Sequence, residues 1–228
     1  MGKEKKTASI QVINEDCLNF IGKFSDLANN QKFVLITDPP FNINYHYNEY
    51  KDNMGEEDYY SMLCKVFSDN PFICIHYPEH LYKLSIHLKR FPNKVVSWVY
   101  NSNTAKQHRD IAFFDIKPNF AQYPQPYKNP KDKRIAKRIE EGKSAKLYDW
   151  WEVNQVKNVS KEKTEHPCQM PIEVMKRIVS IIPKDLVVID PFAGSGTTGL
   201  ACQDVGIDCI LIEKDSLYCD IIKKRLLV

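Results

Sequence analysis

The chain has 228 residues, 43% of them apolar, and a net charge of +3, which suits one large domain or a domain carrying a sizeable insertion, and is too weak a charge to argue for a nucleic-acid partner alone. No apolar stretch approaches the roughly 20 residues of a bilayer span, and the charged N-terminus MGKEKKTASIQV lacks the apolar region of a secretion signal, so a cytoplasmic protein with no membrane partner is expected. Seven cysteines, an odd number without a CxxC pair, speak against a disulfide framework or a tetrahedral zinc site, and His46, like the other five histidines, has no partner at metal-ligand spacing, so no metal is assigned.

Strand and helix patterns alternate along the chain. SIQVIN (9–14) reads as a strand, followed by a helix near 16–29 and the strand FVLIT (33–37). Helices near 56–68 and 79–90 flank the strand FICIHY (72–77), and KVVSWVY (94–100) leads to a hairpin strand over roughly 111–117. Residues 118–165 break the alternation with Pro118, Pro124, Pro126 and Pro130, a Trp150-Trp151 pair, and eight Lys or Arg against three acidic groups within 128–146. That composition predicts an inserted lobe with a mobile, basic surface. The rest returns to alternation: a helix in PIEVMKRIVSII, the strand LVVID (186–190), the loop PFAGSG, a helix opening at Thr197, the strand IDCILIE (207–213) and a helix over 216–227. The expected architecture is α/β in a single domain spanning 1–228, with about seven strands in a mostly parallel sheet covered on both faces.

Two stretches carry chemistry. In DPFAGSGTTG (190–199), Asp190 ends a strand, and Gly194 and Gly196 allow a tight turn and close approach to a ligand. Although Gly199 stands three residues after Gly196, Pro191 and Phe192 ahead of the glycines set the loop apart from the dinucleotide GxGxxG turn, and the missing GK[ST] ending sets it apart from a phosphate loop. Glu213, 23 residues after Asp190 and at the end of the next strand, can accept hydrogen bonds from both hydroxyls of a ribose. The ligand indicated is an adenosine-type molecule without a pyrophosphate; the plainer reading is tight packing of a helix onto a strand. The second stretch is TDPPF (37–41), where a strand ends on a carboxylate, two prolines and a ring. Asp-Pro-Pro is also good turn chemistry in its own right.

Together, DPFAGSGTT and TDPPF resemble the amino-directed DNA methyltransferases that use S-adenosylmethionine. In that family the first is the cofactor loop and the second, [DNS]-P-P-[YFW], the catalytic motif. The catalytic motif comes first here, the permuted order of the β class, and HPCQMP (166–171) resembles that class's H-P-x-x-x-P motif, with Met170 where lysine is usual. EDCLNF (15–20) is similar to the family's segment beside the cofactor adenine. The resemblance implies a Rossmann-like methyltransferase fold. It also implies cofactor contacts from Asp16, Cys17, Asp38, His166, Gln169, Asp190, Phe192, Ala193, Gly194, Ser195, Gly196, Thr197, Glu213 and Lys214, and catalysis by Asp38, Pro39, Pro40 and Phe41. Asp38 and the Pro39 carbonyl would accept the two amino hydrogens of a flipped-out base, with Phe41 as the stacking ring.

The acidic first letter of the motif favours adenine N6 over cytosine N4; an RNA or protein-glutamine substrate and a non-catalytic DNA-binding subunit are the other readings. Because target recognition in the β class lies between the catalytic half and H-P-x-x-x-P, 118–165 becomes the expected recognition segment, with Lys131, Lys133, Arg134, Lys137 and Arg138 on double-stranded DNA and Tyr123, Tyr127, Trp150 and Trp151 nearby. An exposed solvated helix is the alternative. The loop NINYHYNEYKDN (42–53), with Tyr45, Tyr47 and Tyr50, reads equally as a lid or as a surface loop, and His108 and Arg109 fall where the family has loop residues near the active face. A homodimer and a cognate restriction endonuclease are the protein partners this setting admits.

Overall fold

The computed structural model describes residues 7–45, 47–48 and 50–228; His46 therefore lies outside the described residues. In chain order its elements are β1 (Ile10–Asn14), α1 (Phe24–Leu27), β2 (Phe33–Thr37), α2 (Glu56–Phe67), β3 (Phe72–His76), α3 (Pro78–Leu88), β4 (Lys94–Val99), β5 (His108–Phe114), α4 (Lys133–Glu140), β6 (Trp150–Glu152), α5 (Ile172–Ser180), β7 (Val187–Asp190), α6 (Thr197–Val205), β8 (Cys209–Glu213) and α7 (Ser216–Leu226). One sheet holds the strands in the order β1-β8-β7-β2-β3-β5-β4-β6. Strand β5 runs against both of its neighbours, and the other described pairings are parallel.

The pleat sends successive side chains to opposite faces, and both faces are apolar. Val34, Ile36, Ile73, Ile75, Val188 and Leu211 pack with Ile178, Ala201 and Ile222 from α5, α6 and α7. Leu35, Phe72, Cys74, Ile189 and Ile212 pack on the other side with Phe24, Tyr59, Leu63, Phe67 and Leu81 from α1, α2 and α3. Among the described residues no helix is long and apolar enough to cross a membrane.

Four local expectations change. The sheet has eight strands instead of seven, because β6 forms inside the segment expected to be an insertion and pairs in parallel with β4. Its pleat splits the tryptophan pair: Trp151 is buried in the core while Trp150 faces out, so the DNA-contact reading does not hold for Trp151. The helix expected over 16–29 is a 3-10 turn at Cys17–Phe20 followed by the one-turn α1, interrupted at Gly22, whose φ of +75° breaks the helical path. The hairpin strand expected over 111–117 starts at His108; its polar opening residues are stabilised by pairing, with the Ser97 hydroxyl donating to Asp110 Oδ1 at 2.9 Å.

The basic lobe is an excursion over 126–144, closed at its base by a reciprocal Gln125–Ala145 backbone pair at 2.9 Å each way. Asp132 caps α4 by accepting from the Arg134 and Ile135 amides at 2.9 and 3.3 Å. Lys131, Lys133, Arg134, Lys137 and Arg138 are all exposed. The lobe returns to the sheet at Asp149, which pairs at 2.5 Å with Lys94 at the start of β4. Its root therefore lies at the amino edge of β4 and β6.

Candidate active site

The parallel strands β1, β8, β7, β2 and β3 all end at one edge, and antiparallel β5 begins there. From the adjacent pair β7 and β2, the crossovers diverge: α6 leads outward to β8, and α2 leads the other way to β3. Such a switch point opens a crevice beyond the carboxyl ends of the strands. A cavity of about 420 Å³ lies there. Asp16, Cys17, Asp38, Pro39, Pro40, Phe41, His166, Asp190, Phe192, Ala193, Gly194, Ser195, Thr197, Glu213 and Lys214 line it, which brings both sequence stretches to one site.

Asp38 follows directly on β2. Its side chain is 15% exposed, and its Oδ2 faces Arg109 Nη1 at 3.5 Å. The other oxygen, Oδ1, is enclosed with no hydrogen-bond partner among the described residues. Burial pushes the carboxyl up to about 6; Arg109 opposes the shift and Asp190 adds to it. Arg109 reaches the site because β5 is antiparallel, so the strand's first residues sit at the edge that holds the cavity. Its guanidinium carbon also lies 4.5 Å from the Phe41 ring centroid. Phe41 itself stacks on His76 at 4.3 Å and is only 7% exposed. The ring expected to face a base still borders the cavity but lies between His76 and Arg109, and Arg109 also faces one of the two Asp38 oxygens.

The glycine loop is held from within. Asp190, also pushed up to about 6 by burial, accepts from the Phe192 amide at 3.1 Å and the Thr198 hydroxyl at 2.5 Å. Its carboxylate therefore shapes the turn. Gly194 (φ +53°) donates its amide to Glu213 Oε2 at 2.7 Å, while the Asp215 amide donates to Oε1 at 2.9 Å. Each Glu213 oxygen keeps further lone pairs for the cavity, and burial raises this carboxyl to about 7. Gly199 has a packing role: a Cβ there would stand 2.7 Å from Leu211 Cδ1. Asp16 joins Lys214 at 2.9 Å beside the cavity mouth.

Two expected cofactor residues do not line the cavity. Gln169 is held by its own loop: its Oε1 accepts from the Thr164 amide and hydroxyl at 2.8 and 2.9 Å, and its Nε2 donates to the Glu162 carbonyl at 2.6 Å. Gly196 faces Ile222 of α7 and serves the turn into α6. The five cations of the basic lobe are also absent from the lining. Conversely, the lining includes Tyr45, Tyr47 and Tyr50, for which lid and surface loop are equal readings of the sequence, together with Cys168, at a variable position of the HPCQMP motif, and Tyr77, Asp215 and Tyr218, which no motif marks. Asp52 organises the tyrosine loop by accepting from the amides of Asn42, Ile43 and Tyr45 at 2.8, 3.0 and 3.1 Å. Asn48 then reaches across to Asp215 Oδ2 at 3.0 Å.

A family model described as DNA methylase, covering adenine-N6 and cytosine-N4 methylases, matches residues 34–224. Type II methyltransferase M.HpaI of Haemophilus parainfluenzae is 25% identical, over 92% of this chain and 73% of its own length. Among solved structures, the M1.HpyAVI complex with SAM superposes with a TM-score of 0.62 at 22% identity, covering 96% of this chain and 100% of that one. The PvuII DNA methyltransferase, cytosine-N4-specific, gives 0.69 at 15% identity, covering 98% and 88%. The two structures speak to the fold, which is the α/β methyltransferase fold expected from the sequence.

Proposed function

The chain belongs to the DNA methylase family of amino-directed methyltransferases, and from that premise we propose that it methylates the N6 amino group of adenine in double-stranded DNA, with S-adenosylmethionine as its cofactor. The observation that carries the adenine reading is Asp38: an acidic residue heads the Asp-Pro-Pro-Phe turn, half-buried, with one enclosed oxygen lacking a partner among the described residues.

The residues present fit the cofactor. Asp38 and Asp190 are pushed up to about 6 and Glu213 to about 7, all by burial around one cavity. Such crowded carboxylates favour a ligand that carries positive charge and hydroxyl donors. When bound, S-adenosylmethionine supplies an electrophilic methyl group on a sulfonium. Glu213 would hold its ribose, Asp16 and Cys17 would lie by its adenine, and the Phe192–Thr197 loop would enclose it.

The chain's own part concerns the acceptor nitrogen, whose lone pair is delocalised into the base ring. Asp38 and the Pro39 carbonyl each accept one amino hydrogen, which favours a pyramidal nitrogen with its lone pair directed at the cofactor half of the cavity. The incoming base competes with Arg109 for the carboxylate and ring contacts. Both prolines stiffen the turn, since each fixes φ and neither donates an N–H. The exposed cations of the 118–165 segment support contacts to DNA phosphates outside the extruded base, and a cognate endonuclease completes this Type II reading.

A second reading, cytosine N4, is favoured by the likeness to the PvuII enzyme and presents the same nitrogen to the same turn. Transfer of labelled methyl groups to unmethylated genomic DNA, followed by mass spectrometry of the nucleosides, separates them. N6-methyladenine is expected; N4-methylcytosine would install the second reading, and label found only in RNA or protein would overturn both.

A further inference from the structure

We propose that His76 and Tyr59 are positioning residues that fix the catalytic turn and determine which of its proline carbonyls faces the substrate. The inference rests on the amino-methyltransferase reading of that turn. His76 ends β3 and Tyr59 lies in the first turns of α2; both side chains are 1% exposed. The Tyr77 amide donates to His76 Nδ1 at 2.8 Å, so that nitrogen carries no proton. The proton then sits on Nε2, which donates to the Tyr59 hydroxyl oxygen at 2.9 Å. Tyr59 in turn donates its own proton to the Pro40 carbonyl at 2.7 Å. Every donor in this chain has one acceptor, and the polarity of the whole relay follows from a single backbone amide. Burial holds His76 well below the ordinary histidine range, which keeps the ring neutral as the relay requires.

Two consequences reach the active site. The Pro40 carbonyl is engaged from behind the turn, so the Pro39 carbonyl is the one left to accept an amino hydrogen beside Asp38. The same imidazole stacks on Phe41 at 4.3 Å with 23° between the ring planes. One buried ring thereby sets both the carbonyl and the aromatic partner of the turn. Neither residue lines the cavity, so the relay acts through the turn and not on the substrate.

The test compares wild type with Tyr59→Phe, His76→Phe and the double variant, measuring methyl transfer to unmethylated genomic DNA per cofactor-binding site counted by calorimetry. Tyr59→Phe removes the hydrogen bond to the Pro40 carbonyl together with the one from His76, His76→Phe removes the imidazole's bonds to Tyr59 and to the Tyr77 amide, and in each kcat is expected to fall about tenfold. The cofactor Kd and the KM for DNA should stay unchanged, and the double variant should be no slower than either single one, because the links act as a unit. Tyr59→Phe at wild-type kcat, or losses that multiply in the double variant, would overturn the relay. An independent measurement is the nitrogen-15 NMR signature of His76: a proton on Nε2 is expected, and one on Nδ1 would refute the relay whatever the activity. Wild-type protein that methylates no DNA would instead sink the functional reading beneath it.

Discussion

The carboxyl edge of the sheet and the basic lobe both concentrate charge, and they handle it in opposite ways. At the edge, Asp38, Arg109, Asp190 and Glu213 are largely removed from solvent and tied to specific atoms, with Asp38 and Arg109 each 15% exposed. In the lobe, Lys131, Lys133, Arg134, Lys137 and Arg138 stand in solvent, and the Arg134–Asp132 pair at 3.6 Å is exposed too. Buried charge interacts strongly and is fixed in place; exposed charge is screened within about 10 Å at moderate salt. The edge should therefore govern the rate of chemistry, and the lobe the salt-sensitive capture of substrate.

The sharpest way to break this contrast is Asp38→Ala. Transfer should drop on the order of 10³-fold while calorimetric cofactor affinity stays near wild type; abolished cofactor binding would mean that Asp38 serves the wrong half of the cavity. Next come Gly194→Val and Glu213→Ala, each expected to weaken cofactor binding about tenfold or more. Valine at 194 would adopt a φ of +53° with its Cβ 3.0 Å from His166 Nε2. Unchanged affinity in both variants would separate the loop from the cofactor.

Smaller effects come from pH. The proposed mechanism requires the Asp38 carboxylate, whose pKa is raised to about 6, so the rate should fall as pH drops through that value. Arg109 lowers the Asp38 pKa, so Arg109→Gln should move the acid limb of the profile to higher pH. An unmoved limb would show that another group controls it. The smallest effect is expected in the lobe: neutralising Lys133, Arg134, Lys137 and Arg138 should leave kcat alone, raise the KM for DNA, and flatten the salt dependence by about 0.9 in log–log slope for each phosphate no longer neutralised. An unaltered slope would take the lobe off the DNA surface and direct attention to Lys157 and Lys161, which are exposed and follow β6, hence lie toward the catalytic edge.

Features set by local pattern were legible in the sequence. The continuous apolar strands, the turn at Asp38-Pro39-Pro40 and the glycines at 194 and 196 announce themselves within a few residues. What escaped depends on partners far away in the chain. The resemblance alone puts Arg109 near the active face; what carries it there is the antiparallel run of β5, a direction that no residue near it signals. Trp151 looks like an aromatic contact beside a basic run until β4 supplies the strand that buries it. The relay through Tyr59 and His76 needs α2 and β3 brought together behind the turn. Gln169 departs from its expected place for a similar reason: its loop folds back on Thr164 and Glu162 and takes up its amide.

Strand β2 is aligned with β7 through Phe33–Val187, Val34–Val188 and Leu35–Ile189. The offset between the Asp38 carboxylate and the glycine loop is thus measured out by one interstrand step of about 4.8 Å. This ruler is indifferent to which segment comes first along the polypeptide, so the order of the two halves could be rewired without altering the reaction. It does not tolerate a shift in phase. Sliding β2 by one residue against β7 would turn Asp38 to the opposite side of the sheet, leaving a folded protein whose acid points away from the cavity it now lines.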